Sequence, residues 1–316
     1  MKHQPTFKRR NPSLVLVWTF GLFLLMHLNQ YAGVLLGSAL SGAGFESIIS
    51  GEFSDHRTLL AKGLVGAILG IPLSFLVIKY LWRRSWDWLC FRWRPGLLLG
   101  GVLAGCALSA VVVGVTYLFD AVKFTQAPGR LTTNQLVSLL FGHAGWALFV
   151  AVAEESVFRG MAVREWASRW GWAVAIVLGG VFFGVVHLMG LLPHLSVEDA
   201  AWVVFCGILV NWLFVALYIR SRSLWLPIGF HAGWNFSLKA LFGTTVSGKT
   251  STMALYNSEL SGPESLTGGQ FGIEASWVSL IVYILAAVLV LYYPRSGTVQ
   301  LLHPRPQNSD REDQAA

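Results

Sequence analysis

Residues 136–159 read LVSLLFGHAGWALFVAVAEESVFR. From 136 to 152 only Ser138 and His143 are polar; Glu154, Glu155 and Arg159 then follow within six residues. An apolar run of this length is a candidate membrane-crossing helix. Charge inside a bilayer is costly, so an intramembrane ionisable residue is a functional hypothesis by default.

The rest of the chain agrees with a membrane reading. Of its 316 residues 54% are hydrophobic and 12% charged, and the mean hydropathy is +0.58. A soluble chain carries about 25% charged residues, so this one lacks the charge to cover a water-exposed surface. The net charge of +7 comes from short basic clusters between apolar runs, which is a topology signal and excludes nucleic acid as the partner it implies. Cys90, Cys106 and Cys206 show no paired spacing, so neither a disulfide framework nor a zinc knuckle is expected.

Eight apolar runs are expected to span, at 13–36, 61–81, 96–119, 136–158, 172–192, 201–219, 224–242 and 276–293. The fold class is therefore all-α, a polytopic transmembrane helix bundle of about eight spans. The first run is too long for a signal peptide and is kept as a helix. Lys62 and Lys79 lie near the ends of the second run, where they can snorkel. With this map, 16 Lys and Arg fall on the side of both termini and 4 on the other. By the positive-inside rule both termini are cytoplasmic. The segments are a basic N-terminus (1–12), three accessory spans (13–135), a core of four spans (136–243), an extracytoplasmic loop with the last span (244–293) and a disordered tail (294–316).

Three sets of polar residues stand out within the core. Glu155 and Arg159 are four apart with the acid first, the better order for a helical ion pair. Pairing would leave Glu154, about 100° round the helix, without a local partner. His187 lies in Phe183-Gly-Val-Val-His187 of the next span. With the turn at Trp170-Gly171, Glu154 and His187 are equally far from the bend, so an antiparallel hairpin puts them level. His231 and Asn235 share a face of the seventh span, and Gly229 and Gly233 let a helix or a substrate strand come close. Each has a plainer reading as well: a wet helix end for the acids, a packing role for His187, interhelical glue for His231 and Asn235. His27, Asn211 and His194 are read as packing or loop residues, and His143 as about 16 Å from Glu154 along the helix axis, too far for one site.

Together, Glu154-Glu155-x-x-x-Arg159, Phe183-x-x-x-His187 and His231-x-x-x-Asn235, in that order on separate apolar spans, resemble the CPBP family of CAAX prenyl endopeptidases and bacteriocin-processing or self-immunity relatives. The resemblance covers residues 136–243. It implies an intramembrane endopeptidase in which Glu154 is the general base, His187 helps to hold water, and His231 and Asn235 form the oxyanion hole. Glu155 and Arg159 would be structural support. The residue types suit that chemistry, because peptide hydrolysis needs a base, a positioned water and oxyanion donors. A metal-free glutamate mechanism with no cofactor is the favoured expectation. Its alternative is a zinc ion held by Glu154, His187 and His231. The expected partners are a membrane-associated peptide or protein and the lipid bilayer, and the expected location is a bacterial inner membrane. A proton-coupled transporter and a non-catalytic immunity or scaffold protein are the competing readings.

Overall fold

The computed structural model describes residues 12–41, 56–82, 85–125, 131–250 and 253–292. The basic N-terminus up to residue 11 and the tail from 293 lie outside the described residues, and so does the side chain of His27. The described chain is almost entirely helical. α1 (Pro12–Ser41) is followed by α2 (His56–Val65), which runs through a π turn into α3 (Ile71–Val77). α4 (Pro95–Leu118) leads to a short strand, β1 (Val122–Thr125).

α5 (Thr133–Glu155) begins with a capping box: the Thr132 hydroxyl accepts from the Gln135 N–H, and Gln135 Oε1 accepts from the Thr132 N–H. Its last residue is Glu155, where the helix widens into a π segment, Ser156–Val163, before continuing as α6 (Arg164–Trp170). Gly171, at φ +85°, makes the expected turn into α7 (Trp172–His187). α8 (Val197–Ser221) starts at Ser196, whose hydroxyl accepts from the Asp199 N–H. α9 (Trp225–Phe236), β2 (Asn257–Leu260), α10 (Glu264–Thr267) and α11 (Trp277–Tyr292) complete the order.

Five of the described helices are long and apolar enough to cross a membrane: His56–Tyr80, Pro95–Leu118, Thr133–Trp170, Trp172–Leu191 and Val197–Ser221. The expected first, seventh and eighth spans correspond to α1, α9 with the π turn after it (Ser237–Leu241), and α11. Length separates the last two from the five. The 17 residues of α9 with its π turn and the 16 of α11 rise about 25 and 24 Å, short of the roughly 30 Å hydrocarbon core.

The helices pack through small residues. A side chain at Gly229 or Gly233 would run into the backbone of Leu98 or Val102, so the neighbour these glycines admit is α4. α7 and α8 meet in the same way, since a Cβ on Gly184 would come 2.6 Å from Val204 Cα. The 243–275 stretch, read from the sequence as a loop, is folded onto this bundle. β2 pairs antiparallel with β1 in the register Val122↔Leu260 to Thr125↔Asn257. The N–H groups of Leu255 and Tyr256 donate to the carbonyls of Ala240 and Leu241.

Candidate active site

α5, α7 and α9 bring the three motifs to one cavity of about 300 Å³, the size at which ligand pockets begin. Glu154, His187, His231 and Asn235 all line it. Glu154 Oε2 stands 3.9 Å from His187 Nε2 and 4.0 Å from His231 Nε2, and it makes no hydrogen bond among the described residues. These are separations that one hydrogen-bonded water bridges.

Glu155 faces the other way and is completely buried. Its Oε1 accepts from Arg159 Nη1 at 2.8 Å and from His231 Nδ1 at 2.9 Å. The i,i+4 pair read from the sequence is therefore formed, and it also holds His231, a link the spacing did not show. The Arg159 guanidinium has no exposure either. It lies 4.6 Å from the centre of the Phe183 ring and 4.4 Å from that of Phe214, where the faces of the two rings attract a cation.

Phe183 also fixes His187. Its carbonyl accepts from His187 Nδ1 at 2.7 Å, and the two rings lie against each other at a 37° tilt with centroids 4.2 Å apart. A carbonyl only accepts, so the Nδ1 proton is set and Nε2 points toward Glu154. His231 is oriented by the same logic, with Glu155 in place of the carbonyl. Histidines that bind metals are held in this way, so the donor types fit a zinc ion. The 3.9 and 4.0 Å separations are wider than the roughly 3.3 Å between ligands of a tetrahedral zinc, and no group of three or more His, Cys, Asp or Glu side chains among the described residues is placed to hold a metal ion.

Several wall residues were not expected from the sequence. Lys62 does not snorkel outward but lines the cavity, with Nζ 5.2 Å from the Trp146 ring centre. His143 lines the same cavity and its Nε2 meets the Met253 carbonyl at 2.9 Å, so it belongs to a distant part of the wall. Glu274, from the folded 243–275 stretch, accepts from Trp234 Nε1 and from the Ser247 N–H and hydroxyl. Phe214 supports both His231 and Arg159; an apolar residue on an apolar helix gives no sequence signal. Asn211, read as packing, donates to the Ile176 carbonyl and joins α8 to α7.

Fold and site together define a class: a multi-pass helical membrane protein with a buried Glu/His cluster in its core. Residues 134–237 match the family model described as type II CAAX prenyl endopeptidase Rce1-like. The family to which the three motifs pointed is thus the one matched, over nearly the same residues. Comparison with curated proteins and with solved structures gives no match.

Proposed function

We propose that this protein is an intramembrane endopeptidase that hydrolyses a peptide bond of a membrane-associated substrate with a water activated by Glu154. The observation that carries the reading is the approach of His187 and His231 to the Glu154 carboxylate inside a cavity walled by apolar helices.

Glu154 and His187 divide the water between them. With its proton on Nδ1, neutral His187 offers a lone pair at Nε2. One water hydrogen goes to that lone pair and the other to Glu154, which leaves an oxygen lone pair for the scissile carbonyl carbon. Glu154 takes the proton as the C–O bond forms and returns it to the leaving amine as the C–N bond breaks. His231 has a carboxylate on Nδ1, so its imidazolium form is paired and can donate from Nε2 to the oxyanion. Asn235 Nδ2 is the second donor. Glu155 and Arg159 position His231 and take no part in proton transfer. In the metal-dependent variant Glu154, His187 and His231 would hold a zinc ion, which would supply Lewis-acid activation of the water.

The test uses the protein purified in detergent and a labelled library of membrane-anchored peptides. Cleavage by the wild type and not by Glu154→Ala is expected. No cleavage of any peptide, with unchanged biological effect in Glu154→Ala cells, would remove the protease reading in favour of a scaffold.

A further inference from the structure

The two-stranded sheet carries a patch of exposed aromatic rings that the active site does not use. Side chains alternate along a strand, so Val122 and Phe124 share one face of β1, and Lys123 lies on the other face, opposite Glu259 of β2. Val122 is buried against the bundle, whereas Phe124 is 39% exposed. The centre of the Phe124 ring is 5.5 Å from that of Tyr117 near the end of α4 and 6.0 Å from that of Tyr256 just before β2. These tyrosines are 52% and 53% exposed. Phe242, which follows the π turn after α9, joins the cluster at 6.3 Å from Phe124. Single exposed rings are ordinary, but a contiguous group of them marks a contact surface.

Helix lengths place this patch. Gly229 meets Leu98 and Gly233 meets Val102, so α4 and α9 run parallel. They start level, where the Trp93 and Trp225 rings meet at 4.5 Å beside the exposed Arg92 and Arg94. The π turn after α9 ends at Leu241, eight residues beyond Gly233 and therefore level with Ala110 of α4. α4 runs on to Leu118, about 12 Å further. Measured from the arginine end, a hydrocarbon core of roughly 30 Å reaches its far boundary about 5 Å beyond Leu241 and close to Val115 of α4. The sheet fills this step. It follows α4 directly, and the Leu255 and Tyr256 N–H groups tie it to the Ala240 and Leu241 carbonyls. We propose that Tyr117, Phe124 and Tyr256 dock the sheet into the lipid–water interface of the leaflet at the C-terminus of α4, with Lys123 and Glu259 facing water. Aromatic rings concentrate at that depth, where tyrosine sets an apolar ring in lipid and its hydroxyl among headgroups. The bilayer then holds the segment beyond α9 through the sheet, and this surface stands whether or not the cavity hydrolyses peptides.

Spin labels test this in phosphatidylcholine nanodiscs holding the full chain, with Cys90, Cys106 and Cys206 replaced by alanine. One labelled cysteine is introduced per variant: Tyr117→Cys, Tyr256→Cys, Lys123→Cys or Glu259→Cys. Power-saturation EPR compares collisions with oxygen, which concentrates in hydrocarbon, and with a nickel chelate, which stays in water. The oxygen-to-nickel ratio at 117 and 256 should be several times that at 123 and 259, although all four positions belong to one small sheet and its margin. Similar ratios at the four positions would overturn the proposal. So would shielding of 117 and 256 from both reagents, which is how a protein partner or a second copy of the chain would cover the patch. Melting temperatures identify loss of fold, and the comparison of Tyr117→Cys with Lys123→Cys decides the matter if Tyr256→Cys does not fold.

Discussion

Replacing Glu155 with alanine should unfold this protein far more readily than replacing its neighbour Glu154. Glu155 and Arg159 have no exposed side-chain surface, and the acid bridges Arg159 and His231 at 2.8 and 2.9 Å. Its removal strands a guanidinium in an interior from which water is excluded and takes the acceptor from His231 Nδ1. Breaking a buried ion pair on one side costs about 3–5 kcal/mol. The Phe183 and Phe214 faces remain and return about 1–2 kcal/mol. The net loss is about 1–4 kcal/mol, on the order of 2–6 °C in melting temperature for a chain of this length. Glu154 presents the opposite case. Its Oε2 makes no hydrogen bond among the described residues, so Glu154→Ala strands no charge and should melt within about a degree of wild type. The assay is thermal unfolding in detergent followed by the fluorescence of the 14 tryptophans. Glu155→Ala/Arg159→Leu should recover part of the loss, because it removes both charges together. Equal melting of the two single variants, or no recovery in the double, would refute the assignment of Glu155 as the structural acid.

Four other outcomes are expected. His187→Ala should lower kcat by about 10²-fold or more with little change in melting temperature, as measured on whichever library peptide the wild type cleaves; unchanged kcat would remove His187 from the water site. Treatment with o-phenanthroline should leave activity in place, and activity lost to the chelator and restored by zinc would install the metal-dependent variant. Gly233→Val, whose side chain meets the Val102 backbone, should destabilise the α4–α9 contact by about 1–3 kcal/mol, read as a lower melting temperature and yield. Glu274→Ala should release the Ser247 and Trp234 donors, with faster amide exchange at residues 244–249 than in wild type; unchanged exchange would show that the segment is held by β2 and its backbone hydrogen bonds alone.

Much of the fold and site was legible because membrane constraints act on sequence directly. A bilayer admits long apolar helices and penalises charge, so Glu154, Glu155, Arg159, His187, His231 and Asn235 stood out against their surroundings. Gly171 marked the bend, and equal spacing from it placed Glu154 level with His187. Span number was less legible, because hydropathy alone does not separate the 16-residue α11 from a full crossing.

What the sequence alone determined is the helical membrane class, the Glu155–Arg159 pair and the identity of the polar residues that meet. These follow from local spacing and from the energy of apolar transfer, which are properties of the chain itself. Only the tertiary structure decided that Glu155 also holds His231. It also decided that Phe183 and Phe214 both hold a ring against Arg159, that Lys62 turns inward beside Lys239 on one tryptophan, and that Val246, Ser247, Phe271 and Glu274 close one wall of the cavity. Each of these joins elements far apart in the chain. Such contacts are fixed by which helix faces pack together, and in this protein the packing is set by glycines that let α4 reach α9 and α7 reach α8.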